Sequence, residues 1–252
     1  MCWRQSQLSR AVYLLLAMAA MASASAVKLT GAAAFRTSRN LWMLEELGVA
    51  YEHVSAMPRS KEAYAANPFG KVPALHDPDV NLHMYESSAI NTYLGDKYQR
   101  ADLVPVAGTA ARGRYEQLIA TIMAELDAQG LWIHRKHESL GDMFGASPEA
   151  VAHAQRHSAA VVAVLAAELE QGGGPFLLGE EFSAADILFV SCLDWAEAIG
   201  WASWLDEGAS AAPPGLRPGL GGPEVLALVG PYHALCRGRP AYAKVRAMKA
   251  AT

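Results

Sequence analysis

The chain has 252 residues, of which 52% are hydrophobic and 18% are charged. This composition can bury at least one full core and excludes a disordered protein, and the length favours one or two domains. The formal net charge of −4 lacks the basic excess that binding to a phosphate backbone requires, so we expect no nucleic-acid partner.

The first 26 residues differ in composition from the rest of the chain. Arg4 and Arg10 precede an apolar run over residues 11–22, and Ala24-Ser25-Ala26 has the small-x-small form of a cleavage site. This pattern predicts a signal peptide over residues 1–26, with an organelle transit peptide and a spurious upstream start as alternatives. The run is shorter than the roughly 20 residues of a membrane span, so no permanent anchor is expected. We therefore expect the secretory pathway or an organelle, with the cytoplasm as the alternative.

Strand and helix patterns alternate after this leader. Residues 27–31 form a short apolar stretch, and the leucines of residues 41–48 recur at three-residue spacing before Gly48. These patterns predict a strand and then a helix that Gly48 terminates. Residues 49–54 predict a second strand, and so short a connection implies that it pairs parallel to the first in a right-handed unit.

A hairpin and a third helix are predicted next. A polar helix over residues 60–66 ends at Asn67-Pro68, and residues 72–76 and 80–85 flank a turn at residues 77–79, which predicts two paired strands. Glu86 and the serines that follow it then open a helix. We expect this α/β domain to cover residues 27–104.

The remaining residues, 105–252, have helical patterns and predict an all-helical domain. Ser147-Pro148-Glu149 has the form of a helix start. Ser183 and Asp186 form a predicted capping box before residues 187–196, which are apolar almost all round and should lie at the centre of this domain. Residues 208–223 are rich in glycine and proline and predict a loop, and residues 240–248 predict a last helix.

Five segments, in this order and spacing, resemble the glutathione transferase superfamily: residues 41–48 (LWMLEELG), 67–75 (NPFGKVPAL), 86–90 (ESSAI), 182–187 (FSAADI) and 239–242 (RPAY). The resemblance implies an α/β plus all-α fold, with a thioredoxin-like N-terminal domain followed by a helical bundle domain. It also implies glutathione as the co-substrate, a small hydrophobic electrophile as the second substrate, and usually a homodimer.

The resemblance also implies where glutathione binds. Glu86 and Ser87 lie at a predicted helix start, where free N–H groups and the positive dipole end suit a carboxylate; the alternative is that Ser87 only caps the helix. Pro73 has no N–H, which leaves the Val72 backbone to pair with an extended peptide, and the family makes this bond cis. Lys71 resembles the family's partner for the glycyl carboxylate, and a solvated lysine is the alternative.

The residue that activates the thiol is not evident. The serine or cysteine of similar family members would fall at Ala34 or Phe35, and neither side chain donates a hydrogen bond. Thr37 and Ser38 are the nearest hydroxyls, with helix capping as their alternative role, and Arg36 is a candidate to stabilise a thiolate by charge. Without a cysteine here, disulfide exchange through an enzyme thiolate is excluded.

Two aromatic residues of the helical half are candidates for the second-substrate pocket. The resemblance places Tyr115 and Trp132 there, with core or interface packing as the alternative. No carboxylate completes a metal set with the paired histidines of this half, so no metal is expected. Two functions stay open: an enzyme that conjugates glutathione to electrophiles, and a glutathione-binding or protein-binding module without turnover.

Overall fold

A computed structural model describes residues 25–201 and 222–251. Nearly all of the predicted leader and most of the predicted loop at residues 208–223 lie outside these residues. Within them, no helix combines the length and the apolar composition needed to cross a membrane.

The first domain contains a four-stranded mixed sheet. Its strands are β1 (Val27–Thr30), β2 (Tyr51–Val54), β3 (Ala74–Asp77) and β4 (Leu82–Tyr85), arranged in the order β2-β1-β3-β4. β1 pairs parallel with β2 and antiparallel with β3, and β3 pairs antiparallel with β4. The predicted parallel unit and the predicted hairpin are therefore both confirmed.

Three helices accompany this sheet: α1 (Thr37–Leu47), α2 (Lys61–Ala66) and α3 (Ser87–Lys97). α1 ends as predicted, because Gly48 adopts the left-handed conformation at φ 67° and its N–H donates to the Leu44 carbonyl. α1 begins four residues before the predicted start. Its first turn consists of buried polar residues, which the leucine periodicity does not mark.

The regular elements of the second domain, within its described residues, are helices, and one connection holds an isolated bridge between Phe176 and Gly179. Its α-helices are α4 (Ala110–Thr121), α5 (Trp132–His134), α6 (Gly141–Phe144), α7 (Pro148–Gly172), α8 (Ala184–Ala198), α9 (Gly222–Arg237) and α10 (Pro240–Ala250). The segments Ile122–Leu131 and Arg135–Ser139 are π-helical and continue the helix that α4 begins. α9 already includes residues 222 and 223, so the predicted loop end is wrong, because proline is compatible with the first turn of a helix.

The predicted capping box forms at the start of α8. The Asp186 carboxylate accepts the Ser183 N–H at 2.8 Å, and it also accepts the Leu177 N–H and the Tyr232 hydroxyl at 3.0 Å each. α8 is buried almost all round, as expected for a central helix. The box therefore fixes the start of the helix around which this domain packs.

The two domains share one interface through α1. The Trp42 ring lies 5.7 Å from the Phe182 ring and 4.9 Å from the Tyr242 ring, both in the second domain. Arg239 forms two hydrogen bonds with the Glu46 carboxylate, at 2.7 and 2.8 Å. These contacts, at the middle and the carboxyl end of α1, hold the helix at the boundary between the domains.

Candidate functional site

A loop immediately before β3 forms one wall of the candidate site. The Val72–Pro73 peptide bond is cis, as the resemblance implied. The Asn67 side chain folds the loop, because its amide donates to the Lys71 carbonyl and its oxygen accepts the Phe69 N–H, each at 3.0 Å. Val72 and Pro73 are buried, whereas Lys71 is exposed.

The start of α3 forms a second wall. Glu86 precedes the helix with φ 75° and ψ 113°, a backbone conformation that costs a residue other than glycine about 1–3 kcal/mol and that often occurs at functional sites. The exposed Glu86 is the capping residue and makes no side-chain capping bond. Ser87 is buried and is the first residue of the helix, so its hydroxyl is not used to cap α3.

Trp132 brings the second domain to the same place. It lies directly after the π-helical segment Ile122–Leu131 and is half-buried. The Lys71 Nζ lies 5.7 Å from the Trp132 ring, and the Arg36 Cζ lies 5.0 Å from it. Trp132 therefore lies where the two domains meet, in contact with the predicted lysine and arginine, and the region between Val72, Ser87 and Trp132 is called the crevice below.

Arg36 is held in one orientation at this crevice. Its guanidinium lies between two indoles, with Cζ 5.0 Å from the Trp132 ring and 4.8 Å from the Trp195 ring. Its Nε donates to Asp127 at 3.0 Å, and its Nη2 donates to the other oxygen of the same carboxylate. Two parallel hydrogen bonds and two aromatic faces fix a side chain that would otherwise be free to move.

Asp127 also binds a second arginine. Arg39 is 1% exposed, and its Nη2 donates to Asp127 at 2.6 Å while its Nη1 lies 3.4 Å from the Ser87 hydroxyl. Burial alone would raise the pKa of Asp127, but the charges of Arg39 and Arg36 outweigh it and lower that pKa to about 2. The carboxylate therefore stays ionised and links α1 to the second domain.

Cys192 lies beside this ion cluster but does not provide a nucleophile. Its sulfur accepts a hydrogen bond from Arg39 Nη2 at 3.4 Å. Burial raises the pKa of the Cys192 thiol to about 12, although the charge of Arg39 acts to lower it. A thiol that stays protonated at neutral pH is unreactive, so Cys192 packs as a small hydrophobe.

Both candidate hydroxyls of α1 belong to buried residues. Thr37 is fully buried, and its Oγ1 has no hydrogen-bond partner among the described residues. A Cβ built on Gly31 would lie 2.2 Å from this oxygen and 2.7 Å from the Val72 Cβ, so the hydroxyl is packed beneath the loop. The Ser38 hydroxyl donates to the Phe35 carbonyl at 3.0 Å.

Neither hydroxyl caps α1. The capping residue is Arg36, which makes no side-chain capping bond, so the alternative role for Thr37 and Ser38 is not the one observed. Ala34 and Phe35, the two positions at which the family would place a donor, are exposed and half-buried respectively, and neither side chain can donate a hydrogen bond. The amino end of α1 therefore offers a ligand backbone N–H groups and the Arg36 guanidinium.

Tyr115 does not occupy the predicted second-substrate pocket. Its side chain is fully buried, and its hydroxyl lies 3.0 Å from the Thr92 hydroxyl of α3. This correction follows from the direction of α4, which turns Tyr115 into the core. Trp132 remains at the crevice, and Trp195, which sequence reasoning missed, lies on the other side of Arg36.

Sequence reasoning also missed Arg39 and Asp127. A signal for Asp127 is present, because it is one of two acids, with Glu125, in the otherwise largely apolar segment Ile122–Leu131, and a charge that becomes buried there requires a partner. The segment is π-helical. π-Helices are rare in proteins, and those that occur often lie at functional sites. Among the residues that the structure describes, no cluster of three or more histidine, cysteine, aspartate or glutamate residues is arranged to hold a metal ion.

Comparison with known proteins identifies the family. The model of the glutathione S-transferase N-terminal domain matches residues 36–97, and that of the C-terminal domain matches residues 148–218. Glutathione S-transferase-like protein OpS6 of Beauveria bassiana is 31% identical over 180 residues, which are 68% of this chain and 79% of that protein.

Solved structures show the same fold. The glutathione transferase URE2P6 from Phanerochaete chrysosporium, in complex with oxidized glutathione, has a TM-score of 0.69 at 23% identity over 89% of this chain and 96% of that one. Ure2p5 from the same organism, cocrystallized with 1-(S-glutathionyl)-2,4-dinitrobenzene, has a TM-score of 0.70 at 21% identity over 90% and 95%. A thioredoxin-like domain followed by a helical domain, together with these matches, shows that the chain belongs to the glutathione S-transferase superfamily.

Proposed function

We propose that the crevice binds glutathione and that the protein transfers the glutathione thiol to small electrophiles. The observation that carries this proposal is the arrangement of three groups around one crevice. They are the buried Val72–Pro73 loop, the amino end of α3 at Ser87 and the exposed ammonium of Lys71. A tripeptide with two carboxylates needs a backbone partner and two sites of positive potential, and these groups supply them.

Each group has a distinct role in this proposal. The cysteinyl backbone of glutathione pairs with Val72 as an added strand. The γ-glutamyl carboxylate binds the N–H groups and hydroxyl of Ser87, where the dipole of α3 favours an anion, and its ammonium donates to the Glu86 carboxylate. Lys71 pairs with the glycyl carboxylate.

The proposed reaction is nucleophilic substitution. The thiol loses its proton to solvent, and the thiolate attacks the ring carbon that carries the halogen of a halonitroarene. A carbon–sulfur bond forms, and the halide leaves with the bonding electron pair. Two structural neighbours support this chemistry, because one was solved with oxidized glutathione and another with a glutathionyl dinitrobenzene conjugate.

The second substrate is proposed to bind beside the two tryptophans. Trp132 and Trp195 are half-buried and flank Arg36 at the mouth of the crevice. Indole faces bury large apolar areas and favour stacking with an aromatic ring. In this proposal Trp195 takes the place that the sequence assigned to Tyr115.

A binding module without turnover is the second candidate. It is favoured by Ala34, an exposed methyl where the family resemblance predicts a hydroxyl or thiol donor. The two candidates share the same glutathione site and differ only in whether the bound thiol reacts.

Steady-state assays distinguish the two candidates. The protein is incubated with glutathione and a halonitroarene, and conjugate formation is compared with the uncatalysed rate. Turnover above that rate supports the transferase. Retention on a glutathione affinity column without turnover favours the binding module, and failure in both assays contradicts both functions.

Two further expectations remain proposals. We propose a homodimer because the family resemblance implies it, and an exposed edge-to-face pair formed by Phe69 and Tyr85 provides apolar surface beside the crevice. Light scattering at several protein concentrations tests it. We also propose that residues 1–26 are a targeting peptide, which N-terminal sequencing of the mature protein tests.

A further inference from the structure

We propose that the Arg36 guanidinium, oriented by Asp127, stabilises the glutathione thiolate in place of a hydroxyl donor. This inference rests on the proposed function and names the group that acts on the sulfur. Arg36 is then a catalytic residue, because it faces the reacting atom. Asp127 is a positioning residue, because it acts through Arg36.

The first step is that neither hydroxyl of α1 is exposed, since Thr37 and Ser38 are both buried. The Thr37 oxygen is buried beneath Gly31 and Val72, where it has no hydrogen-bond partner among the described residues. The one hydrogen of the Ser38 hydroxyl is directed to the Phe35 carbonyl. The Arg36 side chain at the same end of α1 is 26% exposed and carries a charge, so it is a donor that a ligand can reach.

The second step places Arg36 within one peptide length of Lys71. Lys71 Nζ and Arg36 Cζ lie 5.7 and 5.0 Å from the same Trp132 ring. The two cations are thus separated by at most the sum of these distances, so one extended tripeptide, which spans roughly 10 Å, can contact both. With the glycyl end at Lys71, the cysteinyl sulfur lies within reach of Arg36.

A chain of short contacts relates Arg36 to the other end of the ligand. Ser87 lies 3.4 Å from Arg39, Arg39 lies 2.6 Å from Asp127, and Asp127 accepts from Arg36 at 3.0 Å. The carboxylate site at α3 and the Arg36 guanidinium are therefore parts of one rigid cluster. In a peptide that extends from Ser87 to Lys71, the sulfur lies between the two ends and beside the Arg36 guanidinium.

The third step is the charge of the cluster. Two guanidiniums share one carboxylate, so the cluster keeps one net positive charge, and two indoles exclude water from the side of Arg36 that they cover. An opposite charge within about 4–6 Å lowers the pKa of an acid by about 1–3 units. A cysteine thiol with an ordinary pKa of about 8.5 would then titrate between about 5.5 and 7.5, so the ionised fraction at neutral pH would rise from a few per cent to about a quarter or more.

Other titratable groups surround this cluster and enter the pH dependence. They are Glu86 and Cys192 near Arg39, Lys71 across Trp132, and Asp194 near Cys192. Asp127 stays ionised and Cys192 stays protonated between pH 5 and 9, because their pKa values are about 2 and about 12. A variant at Arg36 leaves all of these groups in place, so a change in thiol titration reports on Arg36 itself.

The experiment titrates the bound thiol. Glutathione binding is first measured by calorimetry on the full chain, and the thiolate absorbance of the complex is then followed against pH. Arg36→Met removes the charge and keeps the side-chain length. Arg156→Met is the matched control, because Arg156 is exposed on α7.

We expect the thiol in the wild-type complex to titrate about 1–3 units below free glutathione, and Arg36→Met to remove most of that shift. Turnover at pH 6.5 should fall about 10-fold or more, while the KM for glutathione changes less than about threefold, because the carboxylate sites are intact. Arg36→Lys, which keeps the charge but has a single donor group, should give an intermediate shift. Thr37→Val and Ser38→Ala should leave the titration unchanged.

Asp127→Asn tests the positioning role. Removing this negative charge would by itself lower the thiol pKa, whereas releasing Arg36 from its two hydrogen bonds would raise it. We expect the pKa to rise, because orientation decides whether the guanidinium reaches the sulfur. A fall would refute the positioning role.

The outcomes distinguish failure of the inference about Arg36 from failure of the proposed function. If glutathione binds but Arg36→Met and Arg36→Lys leave the thiol titration unchanged, Arg36 does not stabilise the thiolate, and the inference fails while the binding site stands. A raised thiol pKa in Thr37→Val or Ser38→Ala would also overturn it in favour of a hydroxyl. If the wild-type protein does not bind glutathione, the proposed function itself is wrong.

Discussion

Asp127 is the residue on which the interface between the two domains depends most directly. Its carboxylate side chain is 5% exposed and is shared by Arg36 and by the buried Arg39. Replacing it with asparagine keeps the shape and removes the charge. Arg39 would then be a buried guanidinium without an ionic partner, and an uncompensated buried charge is one of the most destabilising changes that a protein can undergo.

The size of the expected loss of stability follows from the pKa of Asp127. Asp127 titrates near 2 in the folded protein against an ordinary value of 3.8, a difference of about two units. At 1.36 kcal/mol per unit, ionisation of Asp127 contributes about 2–3 kcal/mol to the free energy of unfolding at neutral pH. Losing the partner of a buried ion pair costs about 3–5 kcal/mol in other proteins. We therefore expect Asp127→Asn to cost about 2–5 kcal/mol at pH 7.

Urea denaturation at pH 7, at one fixed protein concentration, measures this loss. Asp142→Asn is the control, because Asp142 is exposed on α6 and should change stability by less than about 0.5 kcal/mol. Because the folded pKa lies below the unfolded one, the contribution of Asp127 is complete above about pH 4 and disappears as the pH falls towards 2. An equal stability for variant and wild type at pH 7, or a difference that does not shrink in acid, would refute the reasoning.

Three other substitutions test separate parts of the structure. Ser87→Ala should weaken glutathione binding about 5–30-fold by calorimetry, because it removes a hydrogen bond to a charged group, whereas Ser88→Ala should have little effect. An unchanged dissociation constant for Ser87→Ala would contradict the assigned carboxylate site. Lys71→Met should weaken binding and reduce its salt dependence relative to the exposed control Lys61→Met, and equal behaviour of the two variants would remove Lys71 from the site. Ser183→Ala should lower the free energy of unfolding by about 1–2 kcal/mol in urea denaturation, and no loss would show that the capping box is not stabilising.

The fold could be predicted wherever periodicity and local chemistry agree. Gly48 and the Ser183 capping box ended and began helices at the expected residues because their signals act within a few neighbours. The start of α1 was missed because Arg39 and Asn40 look like surface residues in the sequence. They are buried because their partners lie in other elements, and periodicity carries no information about those partners.

The site was predictable in part for the same reason. The motif residues that surround the Val72–Pro73 bond and Ser87 are local in the sequence, and the structure shows the expected cis bond and the expected helix start at Ser87. Arg39 and Asp127 are 88 positions apart, so no local pattern relates them. Only the packing of α1 against the π-helical segment Ile122–Leu131 brings these two charges together.

A crystal structure of the full chain with glutathione tests the central claim most directly. The account predicts an extended peptide paired with the Val72 backbone, its γ-glutamyl carboxylate on Ser87 and its sulfur beside the Arg36 guanidinium. An empty crevice in crystals grown at saturating glutathione, or a peptide bound away from Ser87, would contradict it.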